Sequence, residues 1–413
     1  MGNNKFLTSL FAFQCLTQIM VAQSDTTRVL FIGNSYTSVN NLPAVFLSCA
    51  NSAGFNVSVN SSAPGGYTFQ QHLSNTTTIG LIQEGNWDFV VLQEQSQIPS
   101  FPLSQVQTDC FPYAAALNDS IEKYSPCGET VFYQTWGRQN GDSQNCANWP
   151  PVCTYEGMDS LLQERYQMMA DDNQGIVSAV GAVRRYLRVH YPAFNLYQAD
   201  GSHPSALGTY AAACTFTTSL FRIHPDSISY VGTFSTEEIS AVREAVLNVV
   251  YSQLADWNIG VYDLDVFFNY NLQGDTLYTD AICTSCDSIV WSFGDGSFSN
   301  ELNPIHVYSP GIYSLIMMGY HCGQVQSQTA EIFVEPQTSI LPIHENRTPF
   351  IVTNNNLLFY QPIQSGEWII CDINGKRTLT VQQQQQDIST LSNGIYFLLN
   401  TKTGQRERLV IND

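Results

Sequence analysis

A serine, an aspartate and a histidine that meet in space can cleave an ester. The histidine draws the proton from the serine hydroxyl, and the aspartate orients the histidine and stabilises the charge it acquires. Two short segments carry these residue types at a useful spacing. Ser35 lies in Phe31-Ile-Gly33-Asn34-Ser35-Tyr36-Thr37, and Asp200 and His203 lie in Ala199-Asp200-Gly201-Ser202-His203-Pro204-Ser205. An aspartate three residues before a histidine reaches its Nδ1 within one loop and leaves Nε2 free to face a serine from elsewhere. One short loop therefore delivers both base and orienter.

The elements around these segments give them a place. Arg28–Gly33, Trp87–Leu92 and Thr130–Thr135 are short apolar, β-branched runs of the kind found in buried strands. Helix-like segments alternate with them from residue 28 to about 255, so we expect an α/β layer around a mostly parallel sheet. Ser35 then follows the first strand where the chain turns into a helix, at the carboxyl edge of the sheet, where open α/β folds bind ligands. Pro204–Phe221 reads as an Ala-rich helix with proline just inside its start. Each residue also has a plainer use: Ser35 as a helix cap, Asp200 and Ser202 as turn and cap residues. Their joint occurrence, in the order and positions that catalysis needs, favours the chemical reading. His72 reads as a packing or surface histidine, and His224 as a helix-end residue facing terminal carbonyls. Arg138 and Glu94 are either substrate contacts at strand ends or an internal ion pair.

Gly33-Asn34-Ser35 resembles the first sequence block of the SGNH (GDSL-like) hydrolases, and Asp200-x-x-His203-Pro204-Ser205 resembles their last. The second pattern is the more specific. The resemblance implies a three-layer α/β/α sandwich and an acyl-enzyme esterase with Ser35, Asp200 and His203 as its triad, without cofactor or metal. It also implies an oxyanion hole. Ala63-Pro64-Gly65-Gly66 is similar to the second block, whose glycine offers a backbone N–H to the oxyanion, so Gly65 and Gly66 are candidates beside the N–H of Ser35. The third block departs from the family, because Gln93-Glu94-Gln95-Ser96 replaces the usual Gly-x-Asn-Asp. We assign Gln93 as third donor, its carboxamide reaching one methylene further than an asparagine. Asn34, where many relatives carry aspartate, supplies no catalytic carboxylate. Thr135-Trp136-Gly137-Arg138 and Thr154-Tyr155-Glu156-Gly157-Met158 complete a pattern similar to an SGNH subgroup of poorly defined substrate.

The chain, 413 residues long, exceeds one ordinary core. Its net charge of -19 opposes binding to nucleic acid and anionic membranes, and no apolar run after the N-terminus is long enough to span a bilayer. Residues 1–22 read as a signal peptide: Lys5, the apolar stretch Phe6–Ala22, then Gln23 and Ser24. Eleven cysteines, of which Cys15 falls in that leader, leave an even number for disulfides in an exported chain. Cys110/Cys127 and Cys146/Cys153 are the preferred pairs. Cys283-Thr-Ser-Cys286 has half-site zinc spacing, completed only by His321 and Cys322, and oxidising surroundings favour disulfide chemistry there.

The hydrolase region is expected over residues 25–260. From about 262 the chain changes to short alternating runs of β-sandwich type. Residues 263–336, with Trp291-Ser-Phe293-Gly294-Asp295-Gly296 and Pro304-Ile-His306-Val-Tyr308, resemble a PKD domain, which implies a spacer or a weak glycan binder. Residues 340–413, with Leu391-Ser-Asn-Gly394-Ile-Tyr396-Phe397 and Arg408-Leu-Val-Ile411, resemble a type IX secretion C-terminal sorting domain. That resemblance implies the type IX machinery as partner and a secreted or surface location. Gln382–Gln386 reads as an exposed loop. Together these resemblances imply a secreted carboxylic-ester hydrolase and, by analogy, one that deacetylates a polysaccharide or glycan. The alternatives are a lipid or short-chain aryl/alkyl esterase, or a non-catalytic surface adhesin on the same scaffold.

Overall fold

A computed structural model describes residues 26–335 and, with short interruptions, 350–411; the expected leader, residues 1–22, lies outside them. Five short strands form the first sheet: β1 (Thr27–Ile32), β2 (Val57–Ser62), β3 (Phe89–Leu92), β4 (Glu129–Tyr133) and β5 (Ile176–Ser178). All neighbours are parallel, in the order β2-β1-β3-β4-β5. The apolar runs explain the centre of this sheet. Val29 to Ile32 of β1 and Val90 to Leu92 of β3 are fully buried, as strands covered by helices on both faces must be. The chain leaves β1 for β2 on one side and then returns to pair β3 on the other. The carboxyl ends of β1 and β3 therefore flank a topological switch point, the usual crevice of such sheets.

Among the described residues, ten α-helices pack around it: α1 (Ser35–Ser38), α2 (Leu42–Ser52), α3 (Phe69–Ser74), α4 (Thr76–Gln83), α5 (Leu103–Asp109), α6 (Phe111–Tyr124), α7 (Tyr155–Asp172), α8 (Val180–His190), α9 (Ala206–Phe221) and α10 (Thr236–Val249). This is a three-layer α/β/α unit. Its α9 is buried on every side from Leu207 to Leu220, with the hydroxyls of Thr215 and Thr217 returned to carbonyls of the preceding turn. Ser205 caps α9 through its side chain, so Pro204 lies before the cap and not inside the helix. Gly208 is required for this packing, because a Cβ there would stand 2.2 Å from Arg184 Nη1 and 2.6 Å from the Leu196 carbonyl. None of the helices among the described residues is long and apolar enough to cross a membrane.

Two antiparallel units follow, each around its own core. Strands from Asp265 to Val334 form a three-stranded and a four-stranded sheet, with Trp291, Leu315 and Met317 fully buried between them. Strands from Phe350 to Ile411 form another such pair, around Leu357, Ile370 and Leu398. Gln385 and Gln386 depart from the loop expected there. They pair as a strand with Leu358 and Leu357, because that strand's open edge offers backbone partners.

The cysteines correct one expected pairing. Cys127 is bonded to Cys322, 195 positions away, and not to Cys110. Cys110 caps the start of α6 and Cys127 follows its end, so a 14-residue helix of about 20 Å holds them apart. Cys110 is buried with its sulfur 3.6 Å from Met169 Sδ. Cys146 is bonded to Cys153, and Cys283 to Cys286. Asp287, His321 and Cys322 converge, yet the sulfur of Cys322 is committed to Cys127 and offers no thiolate. The Cys127–Cys322 bond ties the second unit to the residues just before β4, at the amino edge of the parallel sheet. The Arg222–Asp263 ion pair and the Ser285 hydroxyl donating to the Tyr262 carbonyl add to the junction. Arg408 to Asp280 and the Phe267–Phe397 ring contact join the third unit to the second.

Candidate active site

Ser35, Asp200 and His203 come together at the carboxyl edge of the sheet. Asn34 starts α1 by accepting the Tyr36 N–H with its side chain, which places Ser35 in the first helical turn after β1. His203 Nε2 lies 2.8 Å from Ser35 Oγ, across 168 positions of sequence. Its Nδ1 lies 2.5 Å from Asp200 Oδ2. Asp200 Oδ1 accepts the backbone N–H groups of Ser202 at 2.9 Å and His203 at 3.0 Å. Burial opposes the charge on Asp200, but the hydrogen bonds from His203 and from these N–H groups outweigh it and hold the carboxyl below its ordinary range. An ionised Asp200 accepts from Nδ1–H, which leaves the Nε2 lone pair directed at the serine hydroxyl. Gly201 takes a left-handed φ of +67° inside this turn, a conformation glycine adopts without strain.

Gly65 and Gly66 form an exposed turn, Gly66 with φ +74°. Asn34 Nδ2 donates to the Tyr67 carbonyl at 3.0 Å, tying that turn to the residue before Ser35. No acceptor among the described residues takes the N–H groups of Gly65 or Gly66.

Gln93, expected as the third oxyanion donor, turns its carboxamide oxygen inward to the Ser35 turn. It is fully buried. Its Oε1 accepts from the Asn34 N–H at 2.9 Å and the Thr37 hydroxyl at 3.0 Å, and its Nε2 donates to the carbonyl of Glu94. The carboxamide oxygen braces the turn that carries Ser35, and one of the two amide hydrogens goes to the Glu94 carbonyl. Gly33 completes the brace, because a Cβ there would lie 2.5 Å from Thr37 Oγ1 and 2.6 Å from Gln93 Oε1. Two residues on, Gln95 is only partly buried, so the same loop does hold a carboxamide nearer solvent.

The remaining polar candidates also have definite partners. Glu94 and Arg138 are not paired with each other. Glu94 accepts the N–H groups of Phe69 and Gln95. Burial pushes its carboxyl up to about 8, against the pull of those two N–H groups. Arg138 pairs with buried Asp142 at 3.1 Å. His72 is fully buried, with Nε2 2.8 Å from the Gly33 carbonyl and Nδ1 2.8 Å from Thr78 Oγ1. The carbonyl needs a donor, so Nε2 carries the proton and Nδ1 accepts the threonine hydroxyl. His224 caps the turn Pro225–Ser227, its Nδ1 accepting the Asp226 N–H.

Residues without an assigned role in the sequence also converge here. The ring of Tyr36 stacks on Trp136 at 4.5 Å and 2°, and Arg184 lies 3.8 Å over the same indole. Trp136 follows β4 and Tyr36 follows Ser35, so an aromatic residue beside each strand end was the available signal.

What the arrangement can do chemically is transfer a proton from Ser35 to His203 and accept an acyl group on Ser35. No family model matches the chain, and neither does any curated protein. Among solved structures it is similar to a DUF4886 family protein from Bacteroides uniformis, at 17% identity and TM-score 0.47 over 54% of this chain and 94% of that one. It is similar to a putative SGNH hydrolase from Slackia heliotrinireducens, at 26% identity and TM-score 0.39 over 47% of this chain and 98% of the other. It is also similar to the PKD1 domain of a Vibrio cholerae metalloprotease, at 22% identity and TM-score 0.17 over 18% of this chain and 98% of that domain.

Proposed function

We propose that the chain is a serine hydrolase of carboxylic esters that works through an acyl-enzyme, with a polysaccharide or glycan acetyl ester as its substrate class. The observation that carries this reading is the continuous chain of hydrogen bonds from Asp200 through His203 to Ser35 at the sheet's carboxyl edge. Ser35 Oγ attacks the ester carbonyl while His203 Nε2 takes its proton. The N–H groups of Ser35 and of Gly65 or Gly66 hold the oxyanion. His203 then protonates the leaving alcohol, and water repeats the sequence to release the acid.

The side chains of His203 and Asp200 are 31% and 46% exposed. A site this open admits a small acyl group carried on a bulky polymer, which a closed tunnel would not. The signal-peptide pattern of residues 1–22 and the sorting-domain resemblance of residues 340–413 support a location outside the cell, with delivery by type IX secretion.

A fluorophosphonate probe tests the chemistry. We expect an adduct on Ser35 in the full chain, lost in Ser35→Ala and His203→Ala. An unlabelled wild-type protein would leave the adhesin reading in its place. Rates on acetyl xylan and acetylated sugars, compared with long-chain p-nitrophenyl esters, decide the substrate class; faster turnover of the long chains removes the glycan assignment.

A further inference from the structure

The loop from Asp200 to His203 is exposed at Asp200 and half-buried from Gly201 to His203, and its histidine stands within hydrogen-bond distance of Ser35. Its internal bonds shape the turn but do not tie it to the nucleophile. Three contacts from outside hold it, and one of them comes from beside Ser35. Gln139 N–H donates to the Gly201 carbonyl at 2.8 Å. Trp136 Nε1 donates to the Ser202 carbonyl at 3.1 Å. Tyr36 Oη and Ser202 Oγ lie 2.6 Å apart. Ser202, the residue before the histidine, is thus held by its main chain and by its side chain from two different elements.

Resting on the reading of Ser35, Asp200 and His203 as a catalytic triad, we propose that Tyr36 is a positioning residue that sets His203 against Ser35 by gripping Ser202. Tyr36 is bonded in sequence to the nucleophile, so its grip refers the base loop directly to Ser35 and not to some distant part of the fold. The phenol is well placed for this. It is 3% exposed, stacked parallel on fully buried Trp136, and its ring meets the imidazole of His203 edge-on at 5.6 Å and 70°. Packed in this way, the ring has little freedom to swing. Its hydroxyl must find a partner when buried, and Ser202 supplies the near one at 2.6 Å, with Ser96 also interacting with it. Ser202 Oγ is accordingly a structural hydroxyl rather than a second nucleophile. The geometric tolerance of a serine–histidine pair is on the order of half an ångström, so slack of that size in this loop would spoil the pair.

Tyr36→Phe removes the hydroxyl and keeps the stacked ring; Ser202→Ala removes the other half of the contact. In the full chain, with p-nitrophenyl acetate as substrate, each is expected to lower kcat by about tenfold and leave KM within about twofold, because base placement matters in the transition state and not in ground-state binding. The double variant is expected to be no slower than either single one, as a shared contact requires. A second readout does not depend on turnover. The Nδ1 proton of His203, identified by its disappearance in His203→Asn, should give a sharp downfield resonance in wild type and a broadened or shifted one in both variants.

The proposal is overturned if Tyr36→Phe retains wild-type kcat and an unchanged resonance, or if the two losses multiply in the double variant. If wild type neither turns over nor labels with fluorophosphonate, the triad reading fails by itself, and the resonance still decides whether Tyr36 and Ser202 hold the imidazole.

Discussion

Asp200 holds His203 at two points: Oδ1 accepts its backbone N–H at 3.0 Å, and Oδ2 faces its Nδ1 at 2.5 Å. The first contact orders the loop and the second selects the tautomer. These functions separate in Asp200→Asn. Its carbonyl oxygen still accepts the backbone N–H groups, but its NH₂ turned toward Nδ1 demands an acceptor there and drives the proton to Nε2. An Nε2–H cannot take the serine proton. We expect kcat to fall by about 10²–10⁴-fold with the thermal midpoint little changed. A loss of stability as large as the loss of rate would show that the carboxylate mainly supports the loop.

Gln93→Ala is expected to behave in the opposite manner. The carboxamide braces Asn34 and Thr37 from a fully buried position, and its removal strands the Asn34 N–H. A buried donor left unpaired costs about 1–3 kcal/mol. The thermal midpoint should drop, and activity should follow the folded fraction. A rate loss of a hundredfold at full stability would return Gln93 to the oxyanion hole.

Glu94 gives the fold a pH dependence of known sign. Burial raises its carboxyl to about 8 in the native state, whereas an unfolded glutamate titrates near 4.3. Between these values the native protein holds a proton that the unfolded chain has lost, so its stability declines as pH rises through that window. Thermal melts from pH 5 to 9 should show a steeper decline for wild type than for Glu94→Gln, the difference growing by up to about 1.4 kcal/mol for each pH step of one across the window. Parallel curves would mean that Glu94 ionises as readily in the fold as outside it.

The Cys127–Cys322 bond should fix the second unit to the amino edge of the parallel sheet without touching the chemistry at the other edge. Cys127→Ser with Cys322→Ser is expected to open residues 258–264 to limited proteolysis while turnover of p-nitrophenyl acetate stays as in wild type. Closing a loop of 195 residues contributes about 5 kcal/mol in a chain-entropy estimate. Unchanged protease resistance would assign the junction to Arg222–Asp263 and its neighbours instead.

Much of this molecule could be read along the chain. Asp200 and His203 are three residues apart, and at that distance chain connectivity alone brings carboxylate and imidazole together. The buried runs of β1 and β3 announced a parallel sheet by composition, and a serine just after the first of them had to emerge at a carboxyl edge. Partner choice between distant segments was not readable in this way. A carboxamide such as that of Gln93 looks the same in sequence whether it meets solvent or the N–H of Asn34, and only the register of β1 against β3 turns it inward. Cys127 had a nearer candidate in Cys110, but α6 is rigid and separates the two ends. The grip of Tyr36 on Ser202 arises where β1 and β4 bring their ends to one rim. Local pattern determines what a segment can form, because it acts through bonds and periodicity. Which of several possible partners a side chain meets is decided by packing, where burial penalises every polar group left unmatched and so selects one arrangement.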